Sequence, residues 1–323
     1  MNKTVVVTGG CGYIGSHVAR AFKQDDHTVY IIDQVKREHT LKDIDGYLIA
    51  DFASEEALSM IIDLAPDVIV HCAGTSLVGP SITDPSEYYI NNVSKTISMM
   101  NVVKDMPKKP AIMFSSSASV YGQAGNLPID EYARIDPISP YGSTKATDEL
   151  IFKDYSKAYG INSVCFRYFN AAGAMPGTYD LGQEPNATHI VARILEATLN
   201  KTDFTMYGSD YDTTDGSCIR DYVHVWDIAL AHVRAAFYIY NASDTVTEVM
   251  NLGTNTGISN WEIVKYVTTK YGFGRLIVND RRPGDPEILI ANASKATKLL
   301  GWTPVNSSIA DIIDSAYNWY SKK

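Results

Sequence analysis

The 323-residue sequence is short of several things, and each shortage removes a class of function. No apolar run approaches the roughly 18 residues that a bilayer-crossing helix needs, so no membrane association is expected. A strand-like run begins at Lys3, and no signal peptide is expected ahead of it. Four cysteines (Cys11, Cys72, Cys165 and Cys218) stand far apart without a CxxC pair. No disulfide framework is therefore predicted, and a cytoplasmic location fits. Basic residues are scarce, 28 Lys and Arg against 37 Asp and Glu for a net charge of −9, which argues against a nucleic-acid partner. Any anionic ligand must be held by local donors. Seven histidines are scattered, with no HExxH and no recognisable Ser-His-Asp or Cys-His motif, so no metal site is expected. Internal repeats and low-complexity tracts are missing as well.

What remains is an ordinary globular composition, 45% hydrophobic and 20% charged, carrying a regular strand–helix rhythm. Lys3 to Thr8 is a β-branched run that stops at glycines, the profile of a buried parallel strand. It delivers Gly9, Gly10, Gly12, Tyr13, Ile14 and Gly15 ahead of a helical pattern from Ser16 to Phe22. This G-x-G-x-x-G turn lets backbone N–H groups approach a pyrophosphate at a helix N-terminus. A second strand, Thr28 to Ile32, ends in Asp33, where a carboxylate would accept from an adenosine ribose hydroxyl and favour NAD over NADP. Lys36 and Arg37 close behind keep NADP in view. Tyr47 to Ala50 reads as a strand ending at Asp51, Glu55 to Leu64 as a helix, and Pro66 to Cys72 as a strand ending at Ala73 and Gly74. One helix is predicted from Ser86 to Lys104, with Asn91 and Asn92 inside it, one of them bonding outward. Pro110 to Phe114 reads as a strand running out into Ser115, Ser116 and Ser117. A helix capped by Gly160 and a strand from Ile161 to Tyr168 follow.

Such alternation predicts an α/β fold, a Rossmann-type doubly wound parallel sheet. Ligands bind these sheets at the carboxyl ends of the strands. Gly9 to Gly12, Asp33, Asp51, Cys72 to Gly74, Ser115 to Ser117 and Tyr168 to Asn170 all fall there. Tyr141 and Lys145 lie one helical turn apart on one face. A phenol beside an ammonium is expected to have a lowered pKa, the chemistry of a proton acceptor for an alcohol.

After Asn170 the rhythm weakens. His189 to Asn200 and Trp226 to Tyr240 read as helices, and Asp203 to Tyr207 and Glu248 to Leu252 as strands. Arg220 is either a phosphate ligand or half of an ion pair with Asp221. Residues 1–170 are expected to form the NAD-binding domain and 171–323 mainly a smaller mixed α/β substrate domain, some segments of which return to the first.

The glycine turn, Ser115-Ser116-Ser117 before Ala118-Ser119-Val120-Tyr121-Gly122, and Tyr141-Gly142-Ser143-Thr144-Lys145 resemble the extended short-chain dehydrogenase/reductases. Among these, the UDP-glucose (UDP-galactose) 4-epimerase group is the most similar. The resemblance extends through Asn91-Asn92-Val93, Arg167-Tyr168-Phe169-Asn170 and Ser217-Cys218-Ile219-Arg220-Asp221-Tyr222 to Arg281-Arg282-Pro283-Gly284-Asp285. It implies a tightly bound NAD, a UDP-sugar substrate and a homodimer. Tyr141 would be the acid/base, Lys145 its partner and Ser117 a hydrogen-bonding group for the sugar O4. Asn170, Arg220, Arg282 and Asp285 would hold the uridine diphosphate, with His189, Ile190, Tyr207 and Tyr222 in the same substrate set. Asp51 and Phe52 would flank the adenine, and Asn92 would be a structural or cofactor-side group.

The chain departs from the family at Ser76, where a lysine often faces the cofactor, and in a short Asp33–Asp51 segment. Leu289 occupies a sugar-pocket position where size governs substrate range, and leucine is intermediate. N-acetylhexosamine and uronate epimerases, a decarboxylase, a dehydratase, a simple reductase and a non-catalytic NAD sensor are the competing readings. Ala118-Ser119 after the serines, where a dehydratase has an acidic pair, argues against the dehydratase.

Overall fold

The computed structural model describes residues 2–123, 125, 127–177, 181–185, 187–281 and 286–323. Its centre is a seven-stranded parallel sheet: β1 (Thr4–Thr8), β2 (Thr28–Asp33), β3 (Gly46–Ile49), β4 (Val68–His71), β5 (Ala111–Ser117), β6 (Ser163–Tyr168) and β7 (Thr247–Leu252). The spatial order is β7-β6-β5-β4-β1-β2-β3. Two-residue periodicity sorts the side chains. Val5 and Val7 enter one buried cluster, with Phe22 of the Tyr13–Gln24 helix and Ile228 of the Val225–Tyr240 helix. Val6 points the other way, into a cluster with Ile61, Met100 and Phe152 from the Glu55–Leu64, Lys95–Asp105 and Pro140–Tyr159 helices. Both faces are covered, which is why these strands read as continuous apolar runs.

Two expectations needed adjustment. The strand Ala111–Ser117 extends through all three serines, so Ser117 is its last residue rather than part of the loop beyond. The single helix expected from Ser86 to Lys104 is instead a short Pro85–Tyr88 turn, a π-helical stretch Tyr89–Ser94 and the Lys95–Asp105 helix. The wider turn falls on the two asparagines, whose amides bond outward. The Glu248–Leu252 expectation becomes β7, which pairs with β6 and so returns the chain to the first sheet.

The C-terminal half has its own core, in which Leu195, Phe204, Val267 and Ile313 are buried together. Phe204–Tyr207 pairs in parallel with Leu276–Asn279, under the Ile190–Asn200, Asn260–Lys270 and Ile309–Tyr320 helices. Trp302 and Trp319 are core residues, their indole N–H groups donating to the carbonyls of Asp227 and Gln183.

A buried polar network ties β5, β6, β7 and the long helix together. Arg167 donates from Nε to Glu149 Oε1 (3.0 Å) and from Nη2 to Oε2 (2.6 Å). Its Nη1 donates to the Tyr121 hydroxyl (2.9 Å), which donates in turn to Asn251 Oδ1 (2.6 Å). Removing one partner strands a charge in a low-dielectric interior, at a cost of about 3–5 kcal/mol, whereas replacing both is far milder. Arg167→Leu is expected to lower the urea midpoint sharply, and adding Glu149→Leu to restore most of it. A double variant no more stable than the single would show that the pair is not the source of the loss.

Candidate active site

The carboxyl ends of the strands open into a cleft of about 1330 Å³, lined from both halves of the chain. The glycine turn forms one wall. Gly9 has φ +69°, and a Cβ there would lie 2.6 Å from the Ala73 amide nitrogen. Only glycine lets the exit of β1 pass so close to the exit of β4. A Cβ on Gly15 would sit 2.2 Å from the Gly9 carbonyl oxygen, so the Tyr13–Gln24 helix starts flush against the turn. Gly12 caps that helix without a side-chain hydrogen bond, leaving its positive end toward the cleft. This is a cradle that fits a pyrophosphate. At the end of β2, Asp33 accepts from the backbone amides of Cys11 (2.9 Å) and Val35 (2.9 Å), which fixes its carboxylate at the cleft wall. Arg37, also in the wall, donates to the Cys11 carbonyl at 2.8 Å.

The π-helical stretch anchors the loop after β4. Asn92 is buried; its Oδ1 accepts from the Thr75 amide (2.8 Å), and its Nδ2 donates to the Thr75 carbonyl (3.1 Å) and to Thr144 Oγ1 (2.9 Å). Thr144 belongs to the Pro140–Tyr159 helix, whose first turn is capped by Ser139. That helix sets Tyr141 and Lys145 in the cleft wall beside Ser117. Ser117 Oγ lies 3.0 Å from Ser119 Oγ and close enough to the Tyr141 phenol to favour its ionised form.

The electrostatics differ from expectation. Lys145 Nζ lies 5.9 Å from the Tyr141 ring centre and only 4.5 Å from that of Phe114. Burial pushes the Tyr141 pKa up, against the pull of the Ser117 hydrogen bond and with a further rise from nearby Tyr88. The expected lowering is therefore not produced by the protein alone, because desolvation outweighs a cation one turn away. Burial lowers the Lys145 pKa, against the field of Asp148 and neighbouring groups. Beneath the site His71 stays neutral, its pKa lowered to about 3 by burial and by Lys145. It bridges Thr8 Oγ1 (2.7 Å) and Thr96 Oγ1 (2.9 Å). Burial likewise pushes the Cys72 thiol up to about 12, so it is an inert wall residue.

Most of the predicted site residues converge. Gly9, Gly12, Tyr13, Ile14, Gly15, Asp33, Phe52, Cys72, Ala73, Gly74, Ser115 and Tyr168 all line the cleft. Asn170, His189, Ile190, Arg220, Tyr222 and Leu289 line it too. Three do not: Asp51 and Asn92 lie behind the wall and act on residues in it, while Tyr207, the last residue of the Phe204–Tyr207 strand, is not among the lining residues. Arg282 and Asp285 lie outside the described residues. Asp221 is fully occupied otherwise, accepting from the amides of Thr254, Asn255 and Ala291 and from the Thr254 hydroxyl. Gln34, Asn91, Lys95, Arg193 and Glu196 also line the cleft and were not anticipated. Only the i+4 spacing of Asn91 and Lys95, and of His189 and Arg193, could have hinted at them.

The family model described as GDP-mannose 4,6 dehydratase matches residues 6–315. A UDP-glucose 4-epimerase from Halalkalibacterium halodurans is 36% identical, over 98% of this chain and 96% of its own. One from Lactobacillus helveticus is 37% identical over the same shares. The chain belongs to the UDP-glucose 4-epimerase family. Among solved members, the epimerase from Brucella ovis, in complex with NAD, superposes with a TM-score of 0.91 at 34% identity, covering 98% of each chain. The Bifidobacterium longum epimerase, in complex with NAD+ and UDP, gives 0.89 at 33% identity, covering 99% of this chain and 98% of that one. The cleft of this family member thus has the same fold around it as cofactor-bearing relatives.

One buried group stands apart. Asp148, on the inner face of the Pro140–Tyr159 helix, has no hydrogen-bond partner for either oxygen among the described residues. Burial pushes its pKa up to about 8, opposed by Lys145. In the unfolded chain the carboxyl ionises near 4. Between those pH values the folded state holds a proton that the unfolded state has lost, so stability falls as pH rises. Asp148→Leu is expected to melt higher than wild type, by a margin that grows from pH 5 to pH 8. A flat margin across that range would refute the assignment.

Proposed function

We propose that the protein interconverts UDP-glucose and UDP-galactose by transient oxidation at the sugar C4. The observation that carries this is the placement of Ser117, Tyr141 and Lys145 in one cleft with the glycine cradle, Asn170 and Arg220. NAD would rest on Gly9, Gly12 and Gly15, with its adenosine ribose at Asp33 and its nicotinamide end toward Lys145. When bound it supplies an acceptor for the C4 hydride and its return to the opposite face of the sugar. Tyr141 takes the proton of the 4-hydroxyl and gives it back to the same oxygen, with no net exchange. Ser117, beside the phenol, would bridge it to that hydroxyl and hold the reacting atoms in line. Lys145 would favour the phenolate and hold the nicotinamide ribose. Lys145, joined by the positive charge that a bound nicotinamide would supply, would bring the phenol down from the value that burial imposes.

Asn170, His189, Ile190, Arg220 and Tyr222, with Arg282 and Asp285, would hold the uridine diphosphate while the keto sugar turns over. Arginine suits this because its planar fork matches phosphate oxygens. Leu289 would set the sugar pocket at a size that suits unmodified hexoses. Residues 1–170 would serve the cofactor and 171–323 mainly the nucleotide sugar. The four free thiols suit a reducing cytoplasm, and among the described residues no helix is long and apolar enough to cross a membrane. Exposed Val78, Ile82 and Ile97 lie on the Val78–Thr83 and Lys95–Asp105 helices, both packed on the Pro140–Tyr159 helix that carries exposed Leu150, and all four would be covered in a homodimer.

Tyr141→Phe is expected to lose about 10²–10⁴-fold in kcat with UDP-galactose, measured by nuclear magnetic resonance on purified protein. Activity within a few-fold of wild type would sink the assignment. Sedimentation of the wild type should give a dimer mass, and a monomer at micromolar concentration would remove that part.

A further inference from the structure

The far end of the cleft, beyond Asp33, carries a polar link that the proposed chemistry does not use. Lys95 Nζ lies 2.5 Å from Asp51 Oδ2 and 2.7 Å from Asn91 Oδ1. Gln34 Nε2 donates to the same Asp51 oxygen at 3.0 Å, while the Ala53 amide donates to Oδ1 at 2.9 Å. Asn91 continues the chain by donating to Thr75 Oγ1 at 3.1 Å. The link thus joins the end of β2, the turn after β3, the loop after β4 and the helix that carries Asn91 and Lys95. Gln34, Phe52, Asn91 and Lys95 line the cleft, whereas Asp51 lies just behind them.

We propose that Lys95 is a latch residue that sets how slowly the dinucleotide leaves, by tying the β3 turn to the helix across the adenine end of the cleft. This rests on the reading of the cleft as a dinucleotide site. The ribose acid is Asp33, so what extends past it toward β3 is the base, and the wall there is Phe52 with the linked side chains. For the base to leave sideways, the turn and the helix must part. An isolated ion pair of this exposure, with side chains 25% and 29% accessible, resists that weakly. Here the bond that spans turn and helix is charge-assisted, and both of its partners are held in place, the carboxylate oxygen by the Gln34 amide and the cation by Asn91. The π-helical stretch supplies the geometry: Lys95 begins the next helix one turn after Asn91, and both reach the same side. Lys95 acts through Asp51 and the turn, so it is a positioning residue.

The test follows release of NADH from loaded protein, by its fluorescence, after mixing with excess NAD+. Lys95→Met is expected to release about tenfold faster than wild type. Lys95→Arg, which can still reach the carboxylate, should recover much of the difference. Asp51→Asn should release faster as well, and combining it with Lys95→Met should add little. Melting of the cofactor-free proteins should not separate the Lys95 variants from wild type. Release from Lys95→Met at the wild-type rate overturns the latch, as does a drop in cofactor-free melting without faster release. Strict additivity of the two substitutions overturns it too. A wild type that holds no NADH removes the dinucleotide reading and the latch with it, an outcome distinct from a wild type that binds beside an unaltered variant.

Discussion

The carboxamide of Asn92 is held by the backbone of Thr75 and reaches the hydroxyl of Thr144, and the geometry of the site depends on that constraint. One side chain thereby fixes the loop after β4 to the helix that carries Tyr141 and Lys145. The Asn92 side chain is buried, and leaving such a donor or acceptor unpaired costs about 1–3 kcal/mol. The loop and the helix therefore move together or not at all. An asparagine can do this from inside a helix only if the helix widens locally, which the π-helical stretch provides. The same widening sends Asn91 toward Thr75 Oγ1 and Lys95, so one local irregularity serves both ends of the cleft.

Around this joint the interior keeps most of its polar groups neutral or tightly paired. His71, His224 and His232 are all held well below the usual imidazole pKa by burial, and each has hydrogen-bond partners. Arg167 and Glu149 meet as a two-pronged pair with further partners on both members. Asp148 has no hydrogen-bond partner among the described residues and is kept as a neutral acid near Lys145. A chain of net charge −9 can hold a doubly anionic diphosphate only by concentrating donors locally. The helix terminus at Gly12 and the Arg220 position would do that.

Much of this was legible in the sequence, because the sheet strands are buried on both faces and the connecting helices carry plain stripes. The glycine turn, Asp33, Ser117, Tyr141 and Lys145 follow from spacing and from their positions at strand ends. Their charge state did not follow. The expected effect of Lys145 on Tyr141 assumed a direct approach, whereas the lysine lies over Phe114 and burial of the phenol dominates. Lys95 and Gln34 were missed for a different reason. Their partner Asp51 is distant along the chain, and pairing across elements leaves no local pattern. Tyr207 was placed with the substrate by resemblance, and it is not among the residues that line the cleft.

The return of the chain to the first sheet as β7 also bears on how the protein is made. The edge of β6 stays without its parallel neighbour until residue 252 has left the ribosome, long after Tyr168 has emerged. Asn251, the acceptor for Tyr121 in the Arg167 network, arrives with the same strand. A nascent chain halted between these points presents an open apolar edge, the surface at which unfinished sheets pair wrongly. The last central strand therefore couples completion of the cofactor-side core to synthesis of the opposite half, so truncated products are natural clients for chaperones and proteases.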